Sequence, residues 1–248
     1  MAAAAAFTLA FAAPAVARAD SFPLVGWWPM NEGSGQVVRD WSFHGNNGTL
    51  GSTSGVDAND PAWIKGVFLG SALRFDGTDD IVTIPASRSL QPAKLTVAAW
   101  VRSNGSPGNF RYVVSKGSNA CTSSSYGLYT GANGGLIFYT ADSDTHYNLS
   151  PDAGSSVWDG NWHNVAGTFD GTTVRLFVDG NEVGSGTPAA GPVDYSFADE
   201  TADIGNAVSS CPDALTLRGD VDGVQIWSQA LPVAKIWATL KSLFTLSR

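Results

Sequence analysis

Residues 162–183 read WHNVAGTFDGTTVRLFVDGNEV, and the fold is decided by how this stretch alternates. Trp162 to Phe169 and Thr173 to Val178 are two runs of period two, rich in β-branched and aromatic residues, joined by Asp170-Gly171. Val178 then enters a second turn, Asp179-Gly180-Asn181, before Glu182-Val183. Short alternating runs punctuated by Asp-Gly turns predict antiparallel hairpins, because only such residues accept the backbone angles a tight turn needs.

The same grammar extends outward. Leu95-Thr96-Val97-Ala98-Ala99-Trp100-Val101 reads as a strand, as does Tyr126-Gly127-Leu128-Tyr129. Leu136-Ile137-Phe138-Tyr139-Thr140 follows the turn Asn133-Gly134-Gly135, so these segments predict another hairpin. Along it, alternation sends Leu136 and Phe138 to one face and Ile137 and Tyr139 to the other. No long helical pattern separates the strands. The expectation is all-β: an antiparallel, two-sheet β-sandwich rather than a parallel α/β sheet. The one helical candidate is C-terminal: Pro232 suits a first turn, and Val233, Ile236, Trp237, Leu240 and Phe244 form a stripe at 3.6-residue spacing, predicting a short helix packed on the sandwich.

Composition agrees. Of 248 residues only 15% are charged, with 28 Gly and 9 Trp, which suits short strands and tight turns. The net charge of -8 argues against a nucleic-acid partner, since a phosphate backbone calls for a basic face. Ala2 to Ala13 is an apolar run and Ala17-Arg18-Ala19 an A-x-A site, so residues 1–19 are expected to be a signal peptide, although no Lys or Arg precedes the run. It is too short to span a membrane. Residues 20–248 show no linker or repeat and are expected to form one domain, secreted or displayed at the cell surface. Cys121 and Cys211 lie in polar, Ser-rich loops and suit one disulfide in an oxidising compartment, with two free buried thiols as the alternative. The bond would close a loop of about 90 residues, worth about 4 kcal/mol in the chain-entropy model.

Seven segments in order resemble the laminin-G-like jelly rolls of the concanavalin A-like lectin/glucanase superfamily. They are Val25 to Gly35, Asp40 to Thr49, Ala72 to Val82, Asp159 to Gly171, Val178-Asp179-Gly180, Gly219 to Trp227, and Ala230-Leu231. The resemblance implies two face-to-face antiparallel sheets, one face open to ligands, and a structural Ca²⁺ held by an Asp of the final strand. Asp222 matches that position, with Asp40 and carbonyls at Gly45 and Asn46 as partners; Asx-turn hydrogen bonding by the same residues is the alternative.

This fold hosts binding modules and enzymes alike, so function must come from the site. Glycosidase chemistry wants paired carboxylates at fixed separation, whereas Glu32, Glu182 and Glu200, the only glutamates, have no partner at strand spacing. His146-Tyr147-Asn148 is a weak lyase candidate, and His163 reads as a structural hydrogen-bonder. The expectation is a non-catalytic module binding carbohydrate or a cell-surface glycoconjugate, with Tyr126, Tyr129, Tyr139, His146, Tyr147 and Trp158 as ligand contacts. The alternatives are an adhesion or structural domain that binds protein or self-associates, and an atypical polysaccharide lyase or hydrolase.

Overall fold

The computed structural model describes residues 23–51, 53–67, 70–118, 124–196, 199–207 and 215–236, with the backbone alone at 118, 199 and 200. The expected leader and both cysteines lie outside these residues.

Two antiparallel sheets face one another. The nine-stranded sheet runs, in hydrogen-bonded order, Asn181–Glu182, Thr173–Val178, His163–Phe169, Leu95–Arg102, Arg218–Trp227, Ser71–Asp76 and Ala62–Lys65; Leu24–Trp28 also pairs with Arg218–Trp227, and Thr187–Pro188 with Thr173–Val178. The eight-stranded sheet runs His146–Leu149, Leu136–Ser143, Tyr126–Thr130, Tyr112–Ser118, Asp199–Ile204, Val82–Ile84, Gly48–Leu50 and Val37–Val38. The hairpins forecast from the turn residues are present: Val165 pairs with Val178 and Phe169 with Val174, and Leu136 pairs with Thr130. At the second turn Asp179 (φ +50°) and Gly180 (φ +78°) both take left-handed angles, the requirement of a tight two-residue hairpin turn.

Alternation divides each strand between core and outer face. Val97, Ala99, Val101, Val165, Phe169, Leu176, Val221 and Ile226 point inward from one sheet, and Val114, Tyr126, Leu128, Leu136, Phe138, Ala202 and Ile204 from the other. The sheets approach closely at Gly167, where a Cβ would overlap the Phe138 ring, so no side chain fits.

The outer faces carry clusters of their own. On the nine-stranded sheet Ala98, Trp100, Ala166, Phe177 and Trp227 are covered by Leu231 and Ile236 of the C-terminal segment. Thr96 anchors that segment: its hydroxyl donates to the Gln229 carbonyl (2.8 Å) and accepts the Leu231 N–H (2.8 Å). The expected helix begins here, with Ile236 N–H bonding back to the Pro232 carbonyl and Ile236 buried. Val233, expected on the packed stripe, is instead exposed, and residues 237–248 lie outside the described residues. No helix among the described residues is long and apolar enough to cross a membrane.

Candidate functional site

Tyrosines gather on the outer face of the eight-stranded sheet, where alternation places them. Tyr112 stacks on Tyr129 (5.2 Å between centroids), Tyr129 meets Tyr139 edge-on (4.9 Å), and Tyr139 meets Tyr147 edge-on (5.6 Å). Gly127 makes room, since a Cβ there would lie 2.6 Å from Tyr139 Cε1 and 2.9 Å from Tyr112 Cε1. The Tyr112 and Tyr139 hydroxyls share a hydrogen bond of 3.0 Å. Burial pushes the phenols of Tyr112, Tyr129 and Tyr139 well above their ordinary range, so all three stay neutral. Leu215 packs on the cluster, and its carbonyl accepts the Tyr112 N–H.

The expected ligand contacts therefore divide. Tyr129, Tyr139 and Tyr147 are brought together, but Tyr129 and Tyr139 are nearly sealed. His146 stands at the rim, exposed, with Nδ1 2.8 Å from Asp142 Oδ1. Tyr126 and Trp158 are corrected to core residues. Tyr126 lies between the sheets, its hydroxyl donating to the Leu90 carbonyl, and Trp158 is buried with Nε1 donating to the Gly134 carbonyl. Both were placed at the ligand face by aromatic type, whereas strand parity turns Tyr126 inward and the short helical turn Ser155–Val157 carries Trp158 into the core.

The expected metal ligands are not brought together as one site. Asp40 Oδ1 accepts the N–H groups of Trp27 (3.0 Å) and Ser42 (2.8 Å), and Oδ2 accepts the Ser42 hydroxyl (2.9 Å) and the Asn46 N–H (2.8 Å). Four donors use all the lone-pair positions a carboxylate offers. The carbonyl of Asn46 accepts Trp28 Nε1 (2.7 Å), and its side-chain amide donates to the Val25 carbonyl and Ser89 Oγ. Gly45 takes a left-handed turn in this loop (φ +77°). Asp222 sits apart on the outer face of its strand, with Oδ2 accepting the Val67 N–H (2.9 Å). Asp40 is thus the knot of an Asx-type loop, its oxygens taken up by N–H and O–H donors of that loop and of Trp27. Among the described residues, the three carboxylates whose oxygens approach within 4.8 Å of one another are Asp76, Asp79 and Asp80, a different set.

His163 sits in the hairpin between two carboxylates. Its Nδ1 lies 2.7 Å from Asp179 Oδ2 and its Nε2 3.1 Å from Asp159 Oδ1. Of the glutamates, Glu32 accepts the Arg39 N–H and Glu182 pairs with Arg175 at 2.6 Å; the Glu200 side chain is outside the described residues.

The knot at Asp40 has a consequence that residue types alone did not signal. The fastened loop projects two aromatic rings into solvent. Trp41 is 47% exposed and Phe43 is 99% exposed. Phe43 also holds φ +68°, a left-handed angle costly for a bulky residue and kept only where surroundings impose it. Trp41 stands edge-on to the half-buried Trp27 (5.5 Å, 71°). Trp27, Arg39, Asp40, Trp41, Phe43 and Asn47 line a cleft of about 360 Å³, within the usual range for small-ligand sites. The signal available in the sequence was two aromatics inside a Ser/Gly/Asn loop, without strand or helix period.

A family model described as the concanavalin A-like lectin/glucanases superfamily, laminin-G type, matches residues 76–237. The chain belongs to this superfamily. No curated protein sequence matches it. Among solved structures, this laminin-G-like fold is shared with domain 4 of AbnA, a GH43 extracellular arabinanase from Geobacillus stearothermophilus solved with arabinotriose. The TM-score is 0.63 and identity 15%, over 88% of this chain and 98% of that one. The binding domain of botulinum neurotoxin DC, in complex with rat synaptotagmin II, gives TM-score 0.65 at 11% identity, over 89% of this chain and 52% of that one. Trypanosoma rangeli sialidase gives 0.61 at 17% identity, over 90% of this chain and 33% of that one. The chain thus spans about half of the neurotoxin domain and a third of the sialidase.

Proposed function

We propose that the protein is an exported, non-catalytic carbohydrate-binding module whose sugar seat is the Trp27–Trp41–Phe43 cleft. The observation that carries this is a pair of exposed aromatic rings held on a loop knotted by Asp40, beside the polar groups of Arg39 and Asn47. A pyranose or furanose ring offers apolar C–H faces to an aromatic plane and hydroxyls to its polar rim, and a rigid loop lowers the entropy cost of binding. The leader-like residues 1–19 support export. The superfamily match and the arabinanase domain solved with arabinotriose support a sugar as ligand.

Isothermal titration with arabinotriose and a panel of neutral oligosaccharides tests the proposal. Trp41→Ala and Phe43→Ala are each expected to weaken binding about ten-fold, from lost stacking and apolar contact, while the melting temperature stays put because neither ring is in the core. A blank panel, or binding that survives both substitutions together, would overturn it. A second reading has its own observation: Trp41 and Phe43 are exposed apolar side chains lining one cleft, and exposed apolar surface can mark protein contacts. Concentration-dependent sedimentation abolished by Phe43→Ser, with no glycan bound, would favour that reading.

A further inference from the structure

Arginines converge on the outer face of the nine-stranded sheet, at the end away from the C-terminal segment. Asp220, buried on the last strand, is gripped from both neighbouring strands. Arg74 Nε reaches its Oδ1 at 2.7 Å and Arg74 Nη2 its Oδ2 at 3.2 Å; Arg102 Nε reaches Oδ2 at 2.8 Å, with Nη2 on the same oxygen. The Arg102 guanidinium also lies over the Trp162 ring, 4.6 Å from its centroid. One carboxylate thus fixes two guanidinium groups side by side and neutralises only one of them.

A third arginine, Arg218, begins the same strand. It is exposed and makes no ion pair or side-chain hydrogen bond among the described residues. The three arginines, with Asp76, Asp220, Ser103, Asn104, Ser106 and Gly160, line a groove of about 420 Å³. Its ionisable lining is three Arg against two Asp, a net +1 on a chain of net -8. Asp76, the cross-strand neighbour of Arg218, spends its Oδ1 on the Thr78 N–H of its own turn (2.7 Å). The far wall is fastened to the strand: Ser103 Oγ donates to the Arg218 carbonyl (2.9 Å), Gly160 N–H to the Ser103 carbonyl (2.9 Å) and Gly105 N–H to the Trp158 carbonyl (2.8 Å).

We infer that this groove is an anion subsite that takes the carboxylate of an acidic sugar, a uronate residue of a polysaccharide. The inference is independent of the Trp41–Phe43 cleft, which lies on a different loop. Arg74 and Arg102 spend their Nε–Nη2 edges on Asp220, so their Nη1 ends remain for a ligand. Arg218 supplies a whole fork of the planar geometry that matches a carboxylate. Arg102, clamped between Asp220 and Trp162, is positioned before ligand arrives, and the Ser and Asn wall offers partners for sugar hydroxyls.

The test is titration of the full chain with tetragalacturonate, its carboxyl-reduced neutral counterpart, and a sulfated oligosaccharide of equal charge. Tetragalacturonate is expected to bind, the reduced form to bind at least ten-fold more weakly, and the sulfated one to bind less tightly than the uronate. Arg218→Gln should weaken tetragalacturonate binding about ten-fold and Arg218→Glu about a hundred-fold. Both should leave the melting temperature unchanged, because this side chain is exposed and unpaired. Amide shifts at Asn104 and Gly160 should follow the titration in wild type and disappear in Arg218→Glu. No tetragalacturonate binding, a preference for the sulfated oligomer, or wild-type affinity in both Arg218 variants would overturn the inference. Any of these results leaves neutral-sugar binding at Trp41 and Phe43 to be read separately.

Discussion

Asp222 offers a direct check on the energetics of the outer face. The residue is 2% exposed, its carboxylate pressed against the Gly66–Val67 backbone and its strand position opposite Trp100. Oδ2 accepts the Val67 N–H, and Oδ1 has no hydrogen-bond partner among the described residues. Desolvation lifts its pKa from 3.8 to about 7, against the lowering effect of the Val67 and Gly223 N–H groups. A carboxyl whose pKa is raised by folding favours the folded state only while protonated. Its penalty is absent below about pH 4, grows between 4 and 7, and is complete above 7. A shift of about 3 units at about 1.4 kcal/mol each puts that penalty at about 4 kcal/mol. Asp222→Asn removes the charge, and its amide oxygen can still accept the Val67 N–H. The new amide NH₂ takes the place of the unpartnered Oδ1, at a cost of about 1–3 kcal/mol. The net expectation at pH 8 is a gain of about 2 kcal/mol, or about 4–8 °C in melting temperature for a chain of this size. At pH 4 the order reverses, and the variant is the less stable protein. Asp80, raised to about 6 chiefly by desolvation, adds its own slope to both proteins and cancels in the difference. Urea unfolding of wild type and Asp222→Asn at pH 4, 6, 7 and 8 reads the crossing. A constant offset across that range, or a variant less stable at pH 8, would refute the account of Asp222 as a carboxyl strained by burial.

Two further outcomes follow from packing and from the Asp40 knot. Gly167→Ala drives a methyl into the Phe138 ring and is expected to cost about 1–3 kcal/mol in chemical denaturation; Phe138→Leu in that background should recover part of the loss, and purely additive losses would show that the sheets do not meet there. Adding EDTA, or calcium to millimolar levels, is expected to leave the melting temperature unmoved, since the Asp40 oxygens are filled by Trp27, Ser42 and Asn46 donors; a calcium-dependent rise of several degrees would mean a cation binds the folded chain.

The sandwich was legible because its determinants are local. Period two and Asp-Gly turns specify hairpins within a few residues, and Leu136–Tyr139 divides between core and outer face as its alternation demands. Tyr126 and Trp158, by contrast, were placed at the ligand face by residue type alone, and both lie in the core. Aromatic character tells that a ring will be packed or will bind, whereas parity and partner strands decide which. Alternation also leaves open what covers an outward residue. Trp100 and Ala166 face out and are buried all the same, because Leu231 and Ile236 return across the sheet. Trp41 and Phe43 stay bare because Asp40 reaches back thirteen residues to the Trp27 N–H and fastens the loop that carries them. The arginine groove is further still from local reading. Arg74 and Arg102 lie 146 and 118 residues from Asp220, and they share it only because the last strand inserts between theirs. In a sandwich, then, strand period determines the faces, while strand order and the segments that return across them determine which faces can hold a ligand.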